Sequence, residues 1–201
     1  MISKPKYKIA RRLGAPVFEK TQTQKFAARA EKKGKKGGFG RPKSEYAFQH
    51  NEKQKARMVY GISEKQFRNY VKDAVEKKAS LAVASIYGAL ETRLDNAAYR
   101  LGFAPTRRAA RQMVSHGHVT VNGKKTTIPS RTLKVGDVVG VREGSRGTKL
   151  FTTYAERVDT VSMPDWLSFD MKKMQAEVKS APKLSTDTLF DLNAVVEFYS
   201  R

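Results

Sequence analysis

The sequence predicts an α+β protein with a strongly basic surface, and three observations carry that prediction. Helix boundaries are legible across residues 44–90; residues 91–142 read as helix, turn, helix, hairpin and strand; and 40 Lys and Arg stand against 19 Asp and Glu, a formal net charge of +21. At 201 residues the chain can form one large domain or two small ones. Hydrophobic residues make up 39%, below the usual share for a compact globule. This much charge on so small a body repels itself unless a polyanion neutralises it. The composition argues against a free-standing enzyme and for a nucleic-acid or anionic-membrane partner.

The charge is uneven. Residues 1–57 carry net +13, residues 58–90 +2, residues 91–157 +8 and residues 158–201 −2. The first basic zone contains Lys8, Arg11 and Arg12 and peaks in a Lys/Gly run with Lys32, Lys33, Lys35, Lys36, Arg41 and Lys43. Dense glycine weakens a helix and the lysines repel one another. Residues 1–43 are therefore expected to form a basic extended N-terminal arm that orders along phosphates.

Ser44 is placed to cap a helix running to Tyr60, with Gly61 closing it. Ser63 opens the next helix, and Gln66 stands at the capping-box position. Phe67, Tyr70, Val71, Ala74 and Val75 recur at helical spacing and mark its core face. A third helix is expected over about residues 79–90. Lys53, Lys55, Arg57 and Arg68 fall on other faces and are candidates for phosphate contact.

The second basic zone begins with a helix that buries Leu94, Ala97, Ala98 and Leu101 and carries Arg93 and Arg100 on another face. Gly102 ends it, Thr106 caps the next helix, and Gly117 stops that one. Ala110, Met113 and Val114 face inward, while Arg107, Arg108 and Arg111 gather outside. Cations in a first helical turn oppose the helix dipole at roughly 0.3–1 kcal/mol each. A bound phosphate reverses that sign, because it pairs with the arginines and with the free N–H groups of the helix start. Val119 and Val121 then alternate toward one face, and Asn122-Gly123 is the favoured pair for a two-residue type I′ hairpin turn, with Lys124 and Lys125 at its tip. A turn at Val135-Gly136-Asp137 leads into a short strand that Arg142 leaves. Gln112, Ser115, His116, His118 and Arg131 complete the candidate contacts. Structured RNA is read largely through shape, phosphate and 2′-hydroxyl groups, so scattered polar and basic side chains suffice.

Other chemistry finds little support. The chain contains no cysteine, which removes disulfides, thiolate zinc sites and Cys nucleophiles. His116 and His118 lack the carboxylate or cysteine neighbours of a metal site, so no metal and no cofactor is expected. Gly117 and Gly123-Lys124 miss the phosphate-loop spacing and fall in a hairpin. Ser115, His116 and Asp95 do not make a nucleophile triad, and Glu91 and Asp95, one turn apart, flank Arg93, which points to a solvated or ion-paired role rather than acid/base work. The longest apolar run, Leu81 to Leu90, is half a membrane span and broken by Ser85 and Gly88. No membrane role, secretory signal or homo-oligomer is expected. The basic start resembles an organelle transit peptide only without its serine bias.

Arg93-Leu94-Asp95-Asn96, Tyr99 to Phe103, Thr106-Arg107, Ala110-Arg111-Gln112, Val114 to His118, Val121-Asn122-Gly123 and Gly136-Asp137-Val138 together resemble the S-four RNA-binding domain. The flanks resemble bacterial small-subunit ribosomal protein S-four: Lys8 to Gly14, Ser44-Glu45-Tyr46, Tyr60-Gly61, Gln66-Phe67-Arg68, Pro164 to Asp170 and Val196 to Arg201. The resemblance implies an S-four domain (two helices packed on a short, mostly antiparallel sheet) at residues 91–171, inserted into a helical domain of residues 44–90 completed by residues 172–201. It implies that a C-terminal helix bearing Val195, Phe198 and Tyr199 packs on the helices of residues 44–90.

The resemblance also implies a primary binder of 16S-type rRNA that nucleates the 5′ domain. Ribosomal proteins S-five and S-three and the mRNA entry path would be its neighbours, decoding accuracy would depend on it, and its place would be a bacterial cytoplasmic ribosome, with an organellar one as the alternative. Many relatives repress their own operon, which depends on the mRNA and is not inferred for this chain. The four-cysteine zinc knuckle of some relatives is absent here, and the Lys/Gly run replaces the family's usual loop. The alternatives are a stand-alone S-four-domain RNA chaperone, which leaves the matched flanks unexplained, and an RNA-modification enzyme or accessory protein, for which only about 44 residues follow position 157.

Overall fold

A computed structural model describes residues 5–36, 44–77, 81–151, 154, 163–185 and 188–200. The chain forms two compact units, Met1–Ile86 with Ser185–Arg201, and Tyr87–Leu184. The first holds helices α1 (Lys6–Leu13), α2 (Gln24–Lys36), α3 (Glu45–Tyr60), α4 (Glu64–Lys77) and α9 (Leu192–Ser200), and a 3-10 turn at Glu19–Thr21. Helix α5 (Ala82–Glu91) runs across the boundary in sequence. The second unit holds α6 (Leu94–Arg100), α7 (Arg107–Ser115), α8 (Glu143–Arg146) and strands β1 (Val119–Val121), β2 (Lys124–Lys125), β3 (Val138–Val141), β4 (Leu167–Asp170) and β5 (Gln175–Val178).

The first unit corrects the expectation of an extended arm. Ile9, Ala10, Leu13, Ala15 and Val17 are buried together, with Met58 and Val59 of α3 packed against them. Helix α1 thus turns its few apolar residues inward and leaves Lys8, Arg11 and Arg12 exposed. Gly14 closes it in the left-handed conformation at φ 68°. The Lys/Gly run is corrected in part as well. Helix α2 continues through Gly34 to Lys36, because Ala27, Ala28 and Ala30 are strong helix formers and a single interior glycine costs only about 1 kcal/mol. Arg41 and Lys43 lie outside the described residues. Leu13→Ala should lower the stability of the free protein by roughly 2–3 kcal/mol, as for other partly relaxable core sites. Chemical denaturation checks this; an extended arm would show no change.

The α3 and α4 signals hold. The Ser44 hydroxyl accepts the Ala47 N–H at 3.3 Å, and Gly61 is left-handed at φ 61°. The Ser63 hydroxyl accepts the Gln66 N–H at 3.2 Å. Helix α9 packs on α3 and α4, as the resemblance implies. Tyr199 stands edge-on to Phe67, and its hydroxyl donates to Glu64 Oε1 at 2.7 Å. Burial works against ionisation of Glu64. The hydrogen bonds from Tyr199 and Lys53 and the charges of Arg57 and Lys53 outweigh it and hold the carboxyl below its usual range.

In the second unit the sheet order is β2-β1-β3-β5-β4, with every pairing antiparallel. Asn122 and Gly123 both take positive φ, 52° and 74°, as the two-residue turn from β1 to β2 requires. Ala110, Met113 and Val114 of α7 share one core with Val119, Val121, Val139 and Val141 of the sheet. Strand β5 lies between β3 and β4, with Ala176 and Val178 buried. Residues 172–184 therefore belong with the sheet and not with the helical unit, and the boundary expected at 171 moves to Leu184.

Candidate nucleic-acid interface

Helix α7 supplies the frame. The Thr106 hydroxyl accepts the Ala109 N–H at 3.1 Å, and no acidic residue lies in the first turn. With Ala110, Met113 and Val114 committed to the core, Arg108, Gln112, Ser115 and His116 form an exposed line at i, i+4, i+7 and i+8. The turn after α7 brings the hairpin to the end of that line. Gly117 takes φ +76°, and the Lys125 side chain lies where a Cβ on Gly117 would stand. His118 Nδ1 is 2.9 Å from the Ser145 hydroxyl, and the His116 and His118 rings lie 6.2 Å apart. Burial first, and then His116, Arg142 and Lys125, hold the His118 imidazole below its ordinary value. Two histidines and two cations from three separate segments thus converge on one positive surface.

Beside it runs a buried ionic chain. Arg93 is 1% exposed and donates to both oxygens of Asp95, at 3.0 and 2.8 Å. Asp95 also receives Arg111 at 2.8 and 2.7 Å. Glu91 accepts from Arg100 at 2.9 and 3.0 Å and from Asn96 at 2.9 Å. The Asn96 carbonyl in turn accepts Arg107 Nε at 2.8 Å, while the Arg107 guanidinium stacks 4.4 Å from the centre of the Tyr99 ring.

These contacts revise the candidate set. Arg93 is a core residue, and Lys53 is buried against Glu64 and the Phe198 ring, so neither presents its charge outward. Lys55 pairs with Glu52 and Arg57 with Glu64. Arg100, Arg107 and Arg111 are half-buried and anchored rather than loose on an outer face. Thr106 is spent as a cap. Lys8, Arg11, Arg12, Lys32, Arg68, Arg108, Gln112, Ser115, His116, Lys124, Lys125, Arg131 and Arg142 are exposed and remain candidates for RNA contact. The side chains of Lys33, Lys35 and Lys36 lie outside the described residues.

Sequence reasoning missed the Tyr99 stack, although Tyr99 stands at i+3 from Asn96. It also missed the His118–Ser145 contact, which spans 27 residues and has no local signal. Among the described residues, no cluster of three or more His, Asp or Glu is placed to hold a metal ion.

The His118 environment gives a pH prediction. Its folded-state pKa is depressed, so the ring is neutral at pH 7, and protonation below its ordinary 6.5 adds charge to a cationic surface. RNA affinity should therefore rise only as pH falls below about 6.5, and stability of the free protein should decline in the same direction. His118→Gln should remove the His118 share of both trends, measured by RNA binding and by denaturation at matched salt.

Comparison with known proteins agrees with this arrangement. Residues 92–139 match the family model described as S4 domain, and residues 2–88 match that of the ribosomal protein S4/S9 N-terminal domain. The chain is 41% identical over 202 residues to the small ribosomal subunit protein uS4 of Chromobacterium violaceum, covering 98% of this chain and 97% of that one. It is 46% identical over 159 residues to the same-named protein of Syntrophomonas wolfei, with 79% and 76% covered. It is 42% identical over 200 residues to that of Amoebophilus asiaticus, with 98% and 97% covered. With both of its compact units matched in order and relatives aligned nearly end to end, the chain belongs to the uS4 family of small ribosomal subunit proteins.

Proposed function

We propose that this protein is a structural, non-enzymatic constituent of the small ribosomal subunit that binds 16S-type rRNA directly. The observation that carries the reading is the gathering of His116, Lys125 and Arg142 around His118 on one surface of the S4 domain, with Arg108 exposed further along the same line of α7. A phosphate backbone laid along this line would meet Arg108 near the acid-free start of α7 and the hairpin at its far end, which suits a fold of RNA better than an isolated strand. In this reading the protein docks early on the rRNA 5′ domain and nucleates its assembly. It neighbours ribosomal proteins S-five and S-three, contributes to the mRNA entry path and to decoding accuracy, and resides in bacterial cytoplasmic ribosomes.

The test is reconstitution. Added alone to protein-free small-subunit rRNA, the protein should protect a compact set of 5′-domain nucleotides from chemical probing and co-sediment with the RNA. Protection scattered over the whole rRNA would contradict the proposal.

A further inference from the structure

Asn122-Gly123 is the only Asn-Gly pair in the sequence, and the fold gives it two opposed properties. The turn itself is open. Both residues are exposed, a Cβ on Gly123 would meet nothing within 4 Å, and among the described residues no acceptor takes the Gly123 N–H. Glycine carries no side chain to shield its own amide, so this nitrogen has free access to the side-chain carbonyl carbon of the residue before it.

The Asn122 carboxamide, by contrast, is held. Its Nδ2 donates to Asp137 Oδ1 at 2.8 Å, and its Oδ1 accepts the Val138 N–H at 2.8 Å. The Asn122 N–H donates to the Val138 carbonyl, also at 2.8 Å. Asp137 is fixed in turn: its Oδ2 accepts the Lys134 N–H at 2.8 Å, and its carbonyl accepts the Val178 N–H at 3.0 Å. The bond from the Lys134 backbone, with a smaller share from Asn122, outweighs partial burial and holds the Asp137 carboxyl below its usual range.

We infer that Asn122 is a spontaneous deamidation site gated by the fold: the turn at Asp137-Val138 locks its carboxamide, and separation of the β1–β2 hairpin from β3 releases it. The step is a cyclisation followed by a hydrolysis, with nothing oxidised or reduced. The Gly123 nitrogen loses its proton to hydroxide and bonds to Asn122 Cγ. The Cγ–Nδ2 bond breaks, ammonia leaves, and a succinimide remains. Water then opens one of the two imide C–N bonds to give aspartate or isoaspartate. Ring closure makes Cγ tetrahedral and turns Oδ1 and Nδ2 away from their partners, so both bonds to the β3 turn break first. The aspartate product loses the donor to Asp137 and sets a second carboxylate beside it. The isoaspartate product adds a main-chain atom inside a two-residue turn. Either change loosens the hairpin that carries Lys124 and Lys125. Local opening of the sheet is thereby recorded as a permanent chemical mark.

The experiment follows amide-to-acid conversion by peptide mapping of full-length protein at mildly alkaline pH, in buffer and in guanidinium chloride. Asn51, Asn69, Asn96 and Asn193 serve as internal references. Asn122 should convert about tenfold or more faster in denaturant than in buffer, since two hydrogen bonds restrain it only in the folded protein. Asp137→Ala, with folding checked by circular dichroism, should raise the rate in buffer several-fold. Asn122→Asp should unfold about 2–4 °C below wild type. Equal Asn122 rates in buffer and denaturant overturn the gate without recourse to any variant. An Asn122 rate in denaturant no higher than that of the other four asparagines overturns the site itself. An unchanged rate in folded Asp137→Ala removes Asp137 from the lock, and a wild-type midpoint for Asn122→Asp overturns the loosening of the hairpin.

Discussion

Asp95→Ala should destabilise the protein by about 3–5 kcal/mol, the usual cost of breaking a buried ion pair by removing one member. Arg93 is 1% exposed and Asp95 4%, and the same carboxylate also holds Arg111. Because Arg93 precedes α6 and donates to Asp95 in its first turn, the loss loosens the α6 start as well as the α6–α7 contact. Denaturation of the variant would show it, with wild-type stability as the contrary result. The pair is not evidence of extra stability in itself, since a well-packed apolar replacement can equal a buried ion pair. Its effect is positional. The carboxylate of Asp95 and the Glu91–Asn96 relay fix where Arg111, Arg100 and Arg107 stand beside the exposed cations.

The second large effect concerns binding. Replacing Arg108, Lys124, Lys125 and Arg142 together by Gln removes exposed charges with little structural role. At roughly 0.7–0.9 units per phosphate contact, the salt slope should fall by about 3, with about a hundredfold loss of affinity at 0.15 M salt. Thermal stability should stay within a degree or two of wild type, because surface changes away from packed features are usually worth less than about 0.5 kcal/mol. An unchanged slope would remove these residues from the interface. Arg111→Ala is a poorer probe of binding, since it also strips a partner from buried Asp95.

Much of this architecture was legible from local chemistry. Ser44, Gly61, Ser63 and Thr106 act at helix ends as their side chains dictate, and Asn122-Gly123 forces the hairpin register. What escaped has identifiable causes. The apolar positions of α1, Ile9, Ala10 and Leu13, are few and sit among Lys and Arg, so charge masked a buried face. Arg93 does pair with flanking Asp95, because Arg93 is the extended N-cap residue at φ −63° and ψ 136°, but the Glu91 carboxylate goes to Arg100, nine residues away, which no local spacing signals. The β4–β5 turn uses Met174 at φ 50° in place of a glycine and is held by Asp170, which accepts the Lys172 and Lys173 N–H groups. It therefore carries no Gly or Pro signal. For the candidate interface, residue types predicted cationic character well and exposure less well, because paired and unpaired arginines look alike until their carboxylates are placed.

Specific recognition of small-subunit rRNA is tested most directly by competition against a second structured RNA. A salt titration of the wild-type protein against an rRNA 5′-domain fragment should be run with and without excess tRNA. Binding that keeps its affinity in the presence of tRNA at 0.15 M salt, with a slope reporting several phosphate contacts, is the predicted result. Equal, salt-labile binding to both RNAs would contradict it and leave only a general polyanion binder.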